Sequence, residues 1–202
     1  MNPVSYKTPV VMARLWMHET RRVYADRMVN QTDVDKFEEI LSKNAKTHLG
    51  EMPAEELNEE PNLFASFVTD DDAKFYLPFT KGWTQLSDIL EAKLAEYNES
   101  YAQMNLVLFN AAMEHIVRIS RIIGSPRGNA MLVGVGGSGK QSLTRFAAYT
   151  AEMSCFQIEL TKGYGYNEFR EDLKKLYFMT GCDNTPVVFL FADTQVTPYP
   201  LP

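Results

Sequence analysis

The sequence predicts an α/β fold: an incomplete parallel sheet of about three strands, preceded by a mostly helical N-terminal part. Three observations predict it. After Asn129, short apolar runs alternate with helical periods: "AMLVGV", "CFQIEL" (155–160) and "PVVFLFAD" (186–193) are separated by "KQSLTRFAAYTAEM" (140–153) and "NEFREDLKKLYFMTG" (167–181). Strand, helix, strand, helix, strand is the order that builds a parallel sheet. A glycine-rich loop, "GVGGSGKQSL" (134–143), joins the first run to the first of these helices. Before Asn129 the dominant apolar spacing is three and four residues, the period of a helix with one buried face.

In chain order, 10–30 reads as a helix, with Val11, Met12 and Leu15, then Val23 and Met28, at helical spacing. A second helix is predicted over 32–45, with Thr32 as N-cap, Asp33 and Asp35 in the first turn, and Phe37, Ile40 and Leu41 as its stripe. The acidic, Pro-containing stretch 50–61 reads as a loop, and "NLFASFV" (62–68) fits strand or helix. A helix over about 84–97 is followed by a longer one over about 104–123, whose broad apolar face carries Leu106, Phe109, Met113, Ile116, Val117 and Ile123. "GSPRGN" ends it, with Gly124 able to take a positive φ and Pro126 unable to continue a helix. The character of the chain changes over 98–128.

Composition excludes several classes of function. Hydrophobic residues make up 45% and charged residues 23%, as in ordinary globular proteins, and the net charge is −6. Acid is concentrated in "GEMPAEELNEE" (50–60) and at Asp70, Asp71 and Asp72, with no comparable basic cluster. That argues against nucleic acid or an anionic membrane as partner. Cys155 and Cys182, with three His in the chain, offer no metal-ligand spacing and fit a reducing compartment. The first residues have no apolar h-region, so no signal peptide is expected, and no apolar run approaches the roughly 18 residues that would span a bilayer. The cytoplasm, or a compartment continuous with it, is the default location.

The glycine loop carries the chemistry. It nearly fits G-x-x-x-x-G-K-[ST], in which backbone N–H groups and a helix N-terminus cradle phosphates. Gly134, Val135, Gly136, Gly137, Ser138 and Gly139 form the loop, and Lys140 would set its ammonium on the β- and γ-phosphates. The next residue normally gives a hydroxyl to Mg²⁺; here it is Gln141, with Ser142 one place further on. A ligand-free glycine turn is the plain alternative, but the preceding strand, the following helix and the Lys favour phosphate. A serine-hydrolase elbow is excluded, because Lys140 stands where its last Gly is required. "VVFLFAD" ends in Asp193, which suits the strand-end acid that contacts Mg²⁺ through water; the alternative is a turn-capping Asp. The residue after it is Thr194, and a hydroxyl cannot take a proton from water effectively at neutral pH. Binding is therefore favoured over hydrolysis.

Other candidates read as structural. "HETRR" (18–22) has Arg22 where a zinc helix needs its second His, so Glu19 and Arg22 are expected to pair along the helix or to contact a neighbouring module. His115 is expected to be a packed or rim histidine, and Arg118 and Arg121 a solvated or interfacial face. Tyr164 and Tyr166 fit a plain turn as well as a module interface.

"GNAMLVGVGGSGKQSLTRFAAY" followed by "VVFLFADTQV" resembles the fourth AAA+ module of dynein heavy chains, of the axonemal type in particular. "RLWMHETRRVYADRMVN" resembles the helical end of the third module, and "LAEYNESYAQMNLVLFNAAMEHIVRISRII" the connector and leading helix into the fourth. The resemblance covers about residues 10–196. It implies a partition into 1–80 (helical end of the preceding module plus acidic linker), 81–128 (connector and leading helix), 129–196 (N-terminal half of a P-loop module) and 197–202 (divergent tail). It also implies a regulatory site in which Gly134 to Ser142 hold ATP or ADP, with Asp193 at the acidic strand end and Mg²⁺ as a possible companion. The implied setting is an ATP-driven microtubule motor of cilia and flagella, in the cytoskeleton of the axoneme. The implied partners are the other AAA+ modules and the intermediate and light chains, with microtubules reached only indirectly because the stalk follows the fourth module. The competing reading is a structural piece that packs against other modules and holds no nucleotide. AAA+ sheets have the strand order 5-1-4-3-2; "TPYPLP" replaces the family's continuation after "DTQV", so a truncated product is expected, lacking the strand between the first and third.

Overall fold

The computed structural model describes residues 8–50, 52–69 and 75–195. The run Asp70–Asp72, Val196 and the divergent tail at 197–202 lie outside them. The chain divides into two compact units, Met1–Glu91 and Ala92–Pro202.

In the first unit, α1 (Pro9–Tyr24) starts with Pro at its first position, and the Thr8 hydroxyl accepts from the Val11 N–H at 3.3 Å. A single 3₁₀ turn, Ala25–Arg27, closes it, so the helix is shorter than its apolar spacing predicts. α2 (Gln31–His48) is capped by Asn30, whose side chain accepts from the Thr32 N–H at 2.9 Å. The cap thus falls two residues before Thr32, on a residue type that caps as well. α3 (Ala54–Leu57) breaks up the predicted acidic loop. Ala13 and Met17 of α1, Leu41 and Ala45 of α2, and Leu57 of α3 form one buried cluster. The Arg21 guanidinium binds both Glu38 carboxylate oxygens, at 2.8 and 2.9 Å, and ties α1 to α2. The ambiguous 62–68 run resolves into β1 (Phe64–Ala65), antiparallel to β2 (Leu77–Pro78). Leu63, Phe64, Phe67 and Phe79 are buried around this pair.

α4 (Gly82–Ser100) begins in the first unit and ends in the second. The predicted start of the next helix at 104 is overruled by Asn98. Its side-chain oxygen accepts from the Met104 N–H at 2.7 Å, and its amide donates to the Met104 carbonyl at 3.3 Å. Those local bonds compete with a helical turn, and α5 runs only over Asn110–Gly124. In the turn after it the positive φ falls on Arg127 (57°) rather than on Gly124. Gly128 is the glycine the turn requires: a Cβ there would lie 1.7 Å from the Ile122 carbonyl oxygen.

α5 packs on α6 (Lys140–Thr150). Met113, Ile116 and Val117 are buried from α5, and Leu143, Phe146, Ala147 and Ala148 from α6. Tyr97, near the end of α4, meets the edges of Phe146 and Tyr149 at 6.3 and 5.2 Å between ring centroids. β3 (Ser154–Gln157) and β4 (Val187–Leu190) pair in parallel, Ser154 opposite Val187 and Gln157 opposite Leu190, with α7 (Tyr166–Gly181) as the crossover. The α/β class holds, but the sheet among the described residues has two hydrogen-bonded strands rather than about three. The first predicted strand, 130–135, makes no ladder, and Met131 and Val133 are 90% and 85% exposed. Among the described residues β3 and β4 pair with each other, and no described segment forms a ladder with 130–135.

Candidate phosphate-binding loop

The nine predicted loop residues, Gly134 to Ser142, form one turn running into the first turn of α6. Gly137 and Gly139 take φ values of 76° and 75°, which only Gly reaches without strain. Gly139 is the N-cap of α6 and supplies no side chain to cap it. The Leu143 N–H bonds the Gly139 carbonyl at 2.8 Å, which leaves the amides of Lys140, Gln141 and Ser142 without an intrahelical acceptor, as at any helix start. The loop curls around the Lys140 ammonium. Nζ donates to the carbonyls of Gly134 and Val135 at 2.8 and 2.7 Å, and to Ser138 Oγ at 3.2 Å. A Cβ at Gly134 would stand 3.8 Å from Nζ, an ordinary contact, so it is Gly137 and Gly139, with their positive φ, that the turn requires. Fixed cationic and N–H donors on one small exposed surface suit a phosphate group.

Gln141 does not face this surface alone. Its Oε1 accepts from Arg145 Nη2 at 3.4 Å and from Gln157 Nε2 at 3.3 Å, while Arg145 Nη2 also donates to Gln157 Oε1. The sequence singles out Gln141 but neither partner. Asp193 opens a one-turn 3₁₀ helix, Asp193–Gln195, and its Oδ1 accepts from the Thr194 N–H at 2.9 Å. Among the described residues no hydrogen bond or ion pair joins Asp193 to Lys140 or to the loop. Gln195, passed over in the sequence, is buried and structural. Its Oε1 accepts from the Ala192 N–H at 2.7 Å and its Nε2 donates to the Ile158 carbonyl, which binds the end of β4 to the end of β3.

Most of the remaining candidates have local partners. His18 is buried, with Nδ1 against the Asn62 carbonyl at 3.1 Å and Nε2 against the Tyr76 hydroxyl at 2.8 Å. Arg22 meets Asp26 at 3.3 Å. Among the described residues no group of three His, Cys, Asp or Glu could hold a metal, and no helix is long and apolar enough to cross a membrane. His115 is exposed, and Arg118 pairs with Glu114 at 2.5 Å. Tyr164 donates to Asp172 Oδ2 at 2.8 Å, and the Arg170 guanidinium lies over the Tyr166 ring.

The family model for the P-loop-containing dynein motor region D4 matches residues 104–199, and that for the AAA+ lid domain matches residues 3–58. The chain is 47% identical over 191 residues to a ciliary dynein beta chain of Heliocidaris crassispina, an alignment covering 95% of this chain and 4% of the relative. The chain belongs to the axonemal dynein heavy chains. It is also 48% identical over 198 residues to a dynein beta chain of the flagellar outer arm of Chlamydomonas reinhardtii, covering 95% and 4%, and 46% identical over 190 residues to human dynein axonemal heavy chain 17, covering 94% and 4%. The chain spans about 4% of the length of the curated dyneins it matches. Within it, the D4 match includes the glycine loop and Asp193, and the lid match includes α1 and α2.

Proposed function

We propose that Gly134 to Ser142 hold the phosphates of ATP or ADP, in a regulatory site of a dynein heavy chain that keeps its nucleotide rather than turning it over. The observation that carries this reading is the Lys140 ammonium, held by the loop's own carbonyls at 2.8 and 2.7 Å beside the uncapped start of α6. An ammonium has three donors, and all three are engaged. The longest bond, to Ser138 at 3.2 Å, is the one a phosphate oxygen would replace, after which the Ser138 hydroxyl could itself turn to the ligand. Asp193 would contact a hydrated Mg²⁺ through its remaining carboxylate oxygen. Thr194 in place of a carboxylate leaves no general base at the strand end.

We read residues 1–80 as the end of a preceding module with its linker, 81–128 as the connector and 129–196 as the first half of the nucleotide module, with 197–202 outside it. The lid match over 3–58 supports a preceding module, and the D4 match over 104–199 supports a P-loop module in the second half of the chain. The implied setting is the axoneme, among the other AAA+ modules and the intermediate and light chains. The competing structural role draws support from the exposed apolar run at Met131, Val133 and Val135, which suits packing against further segments. Titration of the purified 202-residue chain with a fluorescent ADP analogue separates the two. Saturable binding lost in Lys140→Ala supports the nucleotide site, with steady-state ATPase at background. Equal binding by both proteins, or by neither, leaves the structural role. Mg²⁺-dependent turnover abolished by Asp193→Ala would overturn the non-hydrolytic reading.

A further inference from the structure

Gln141 stands where a P-loop offers Mg²⁺ a hydroxyl oxygen, and a Gln carbonyl oxygen could in principle substitute for it. The side-chain network decides against that. Arg145 lies one turn further along α6, and Gln157 is the last residue of β3. A guanidinium only donates. Both carboxamide oxygens therefore turn to Arg145 Nη2, and this fixes which end of each amide is oxygen. Gln157 Nε2 then donates to the same Gln141 Oε1. The single oxygen of Gln141 is thus engaged twice, once by a permanent cation. Its Nε2, with no partner among the described residues, can only donate. A donor repels a metal ion and suits a phosphate oxygen, and the Arg145 charge works in the same direction. Ser142, the next hydroxyl in the sequence, is one residue further round the helix, where the phosphate-loop arrangement places no metal ligand.

We infer that the Arg145–Gln141–Gln157 network converts the metal position of this loop into a hydrogen-bond donor, so that the site takes a nucleoside di- or triphosphate whose affinity does not depend on Mg²⁺. Gln141 is the specificity-determining residue, and Arg145 and Gln157 are positioning residues that act through it. Water-mediated contact with Asp193 is all that remains for a cation, and it is too indirect to couple metal to nucleotide. The inference rests on the nucleotide-binding reading above.

The test measures the affinity of the 202-residue chain for a fluorescent ADP analogue in excess Mg²⁺ and again in excess EDTA. The two dissociation constants should agree, whereas a loop with a metal-ligating hydroxyl should bind more weakly when the metal is removed. Binding in Mg²⁺ that disappears in EDTA overturns the inference and leaves the nucleotide site standing. Binding in neither buffer overturns both. Because the decisive comparison uses the unaltered chain, it does not depend on a variant folding. Gln141→Thr restores the hydroxyl and should make affinity Mg²⁺-dependent. Arg145→Met, which releases the Gln141 oxygen, should do so to a smaller degree; unchanged Mg²⁺ independence in both variants would remove Gln141 from the role assigned to it.

Discussion

Tyr164 shows what a single hydroxyl contributes in the turn before α7. Burial, the hydrogen bond to Asp172, and the negative charges of Asp172 and Glu168 push its pKa up to about 12. Burial alone would raise Asp172, but the bonds it accepts from Tyr164 and Lys175 outweigh this and hold its carboxyl below the ordinary range. The two shifts give opposite pH dependences. The Tyr164 contribution is complete below its ordinary value of 10 and is lost as pH rises through about 12. The Asp172 contribution is complete above the ordinary carboxylate range and is lost as pH falls through its lowered folded value. Tyr164→Phe should cost about 1 kcal/mol at neutral pH and flatten the alkaline limb of stability, measured by urea denaturation at a series of pH values. Sequence alone left Tyr164 between turn and interface, because its partner is a helix residue on the far side of a glycine turn. Gln141 was legible only as a missing hydroxyl, for the same reason. Spacing identifies what a motif lacks; the residues that occupy the gap, Arg145 and Gln157, come from the next helical turn and from another strand.

α6 is the element on which the candidate site depends, since its first turn carries Lys140 and Gln141 and its apolar face lies against α5. Phe146 is fully buried and meets Tyr97 edge to face. Phe146→Ala should destabilise the fold around α6 by about 3–5 kcal/mol, read as a lowered denaturation midpoint. Helices were the most legible elements, because Met113, Ile116 and Val117 mark a buried face by spacing alone. Their ends were less legible. Asn30 displaces Thr32 as the cap of α2, and Asn98 delays α5 to Asn110, both through side-chain bonds to backbone that apolar periodicity does not register. The position of the glycine loop before α6 was legible, since glycines, a Lys and a helix start occur in it in fixed order.

At the scale of the whole molecule, the two units meet the sequence differently. The first closes its own core from α1, α2 and α3, and the sequence foretold both long helices but not the short β1–β2 pair. In the second, an apolar run announced a strand at 130–135 that the structure leaves outside the sheet. Its apolar composition predicts a buried strand, whereas Met131 and Val133 are exposed and unpaired, because burial there needs a partner segment that local composition does not specify. That segment has a consequence for amide hydrogen exchange. Its N–H groups have no acceptor among the described residues, so those of 131–135 should exchange at nearly the rate of an unstructured peptide, while those of β3 and β4 are slowed. Exchange followed by mass spectrometry would read the two side by side. Protection at 131–135 equal to that of β3, in the chain alone, would show the segment already paired. If exchange there is fast, the segment serves as a reporter: any polypeptide that supplies the neighbouring strand would be recorded first as slowed exchange at Met131 to Val135, immediately before the loop that holds Lys140.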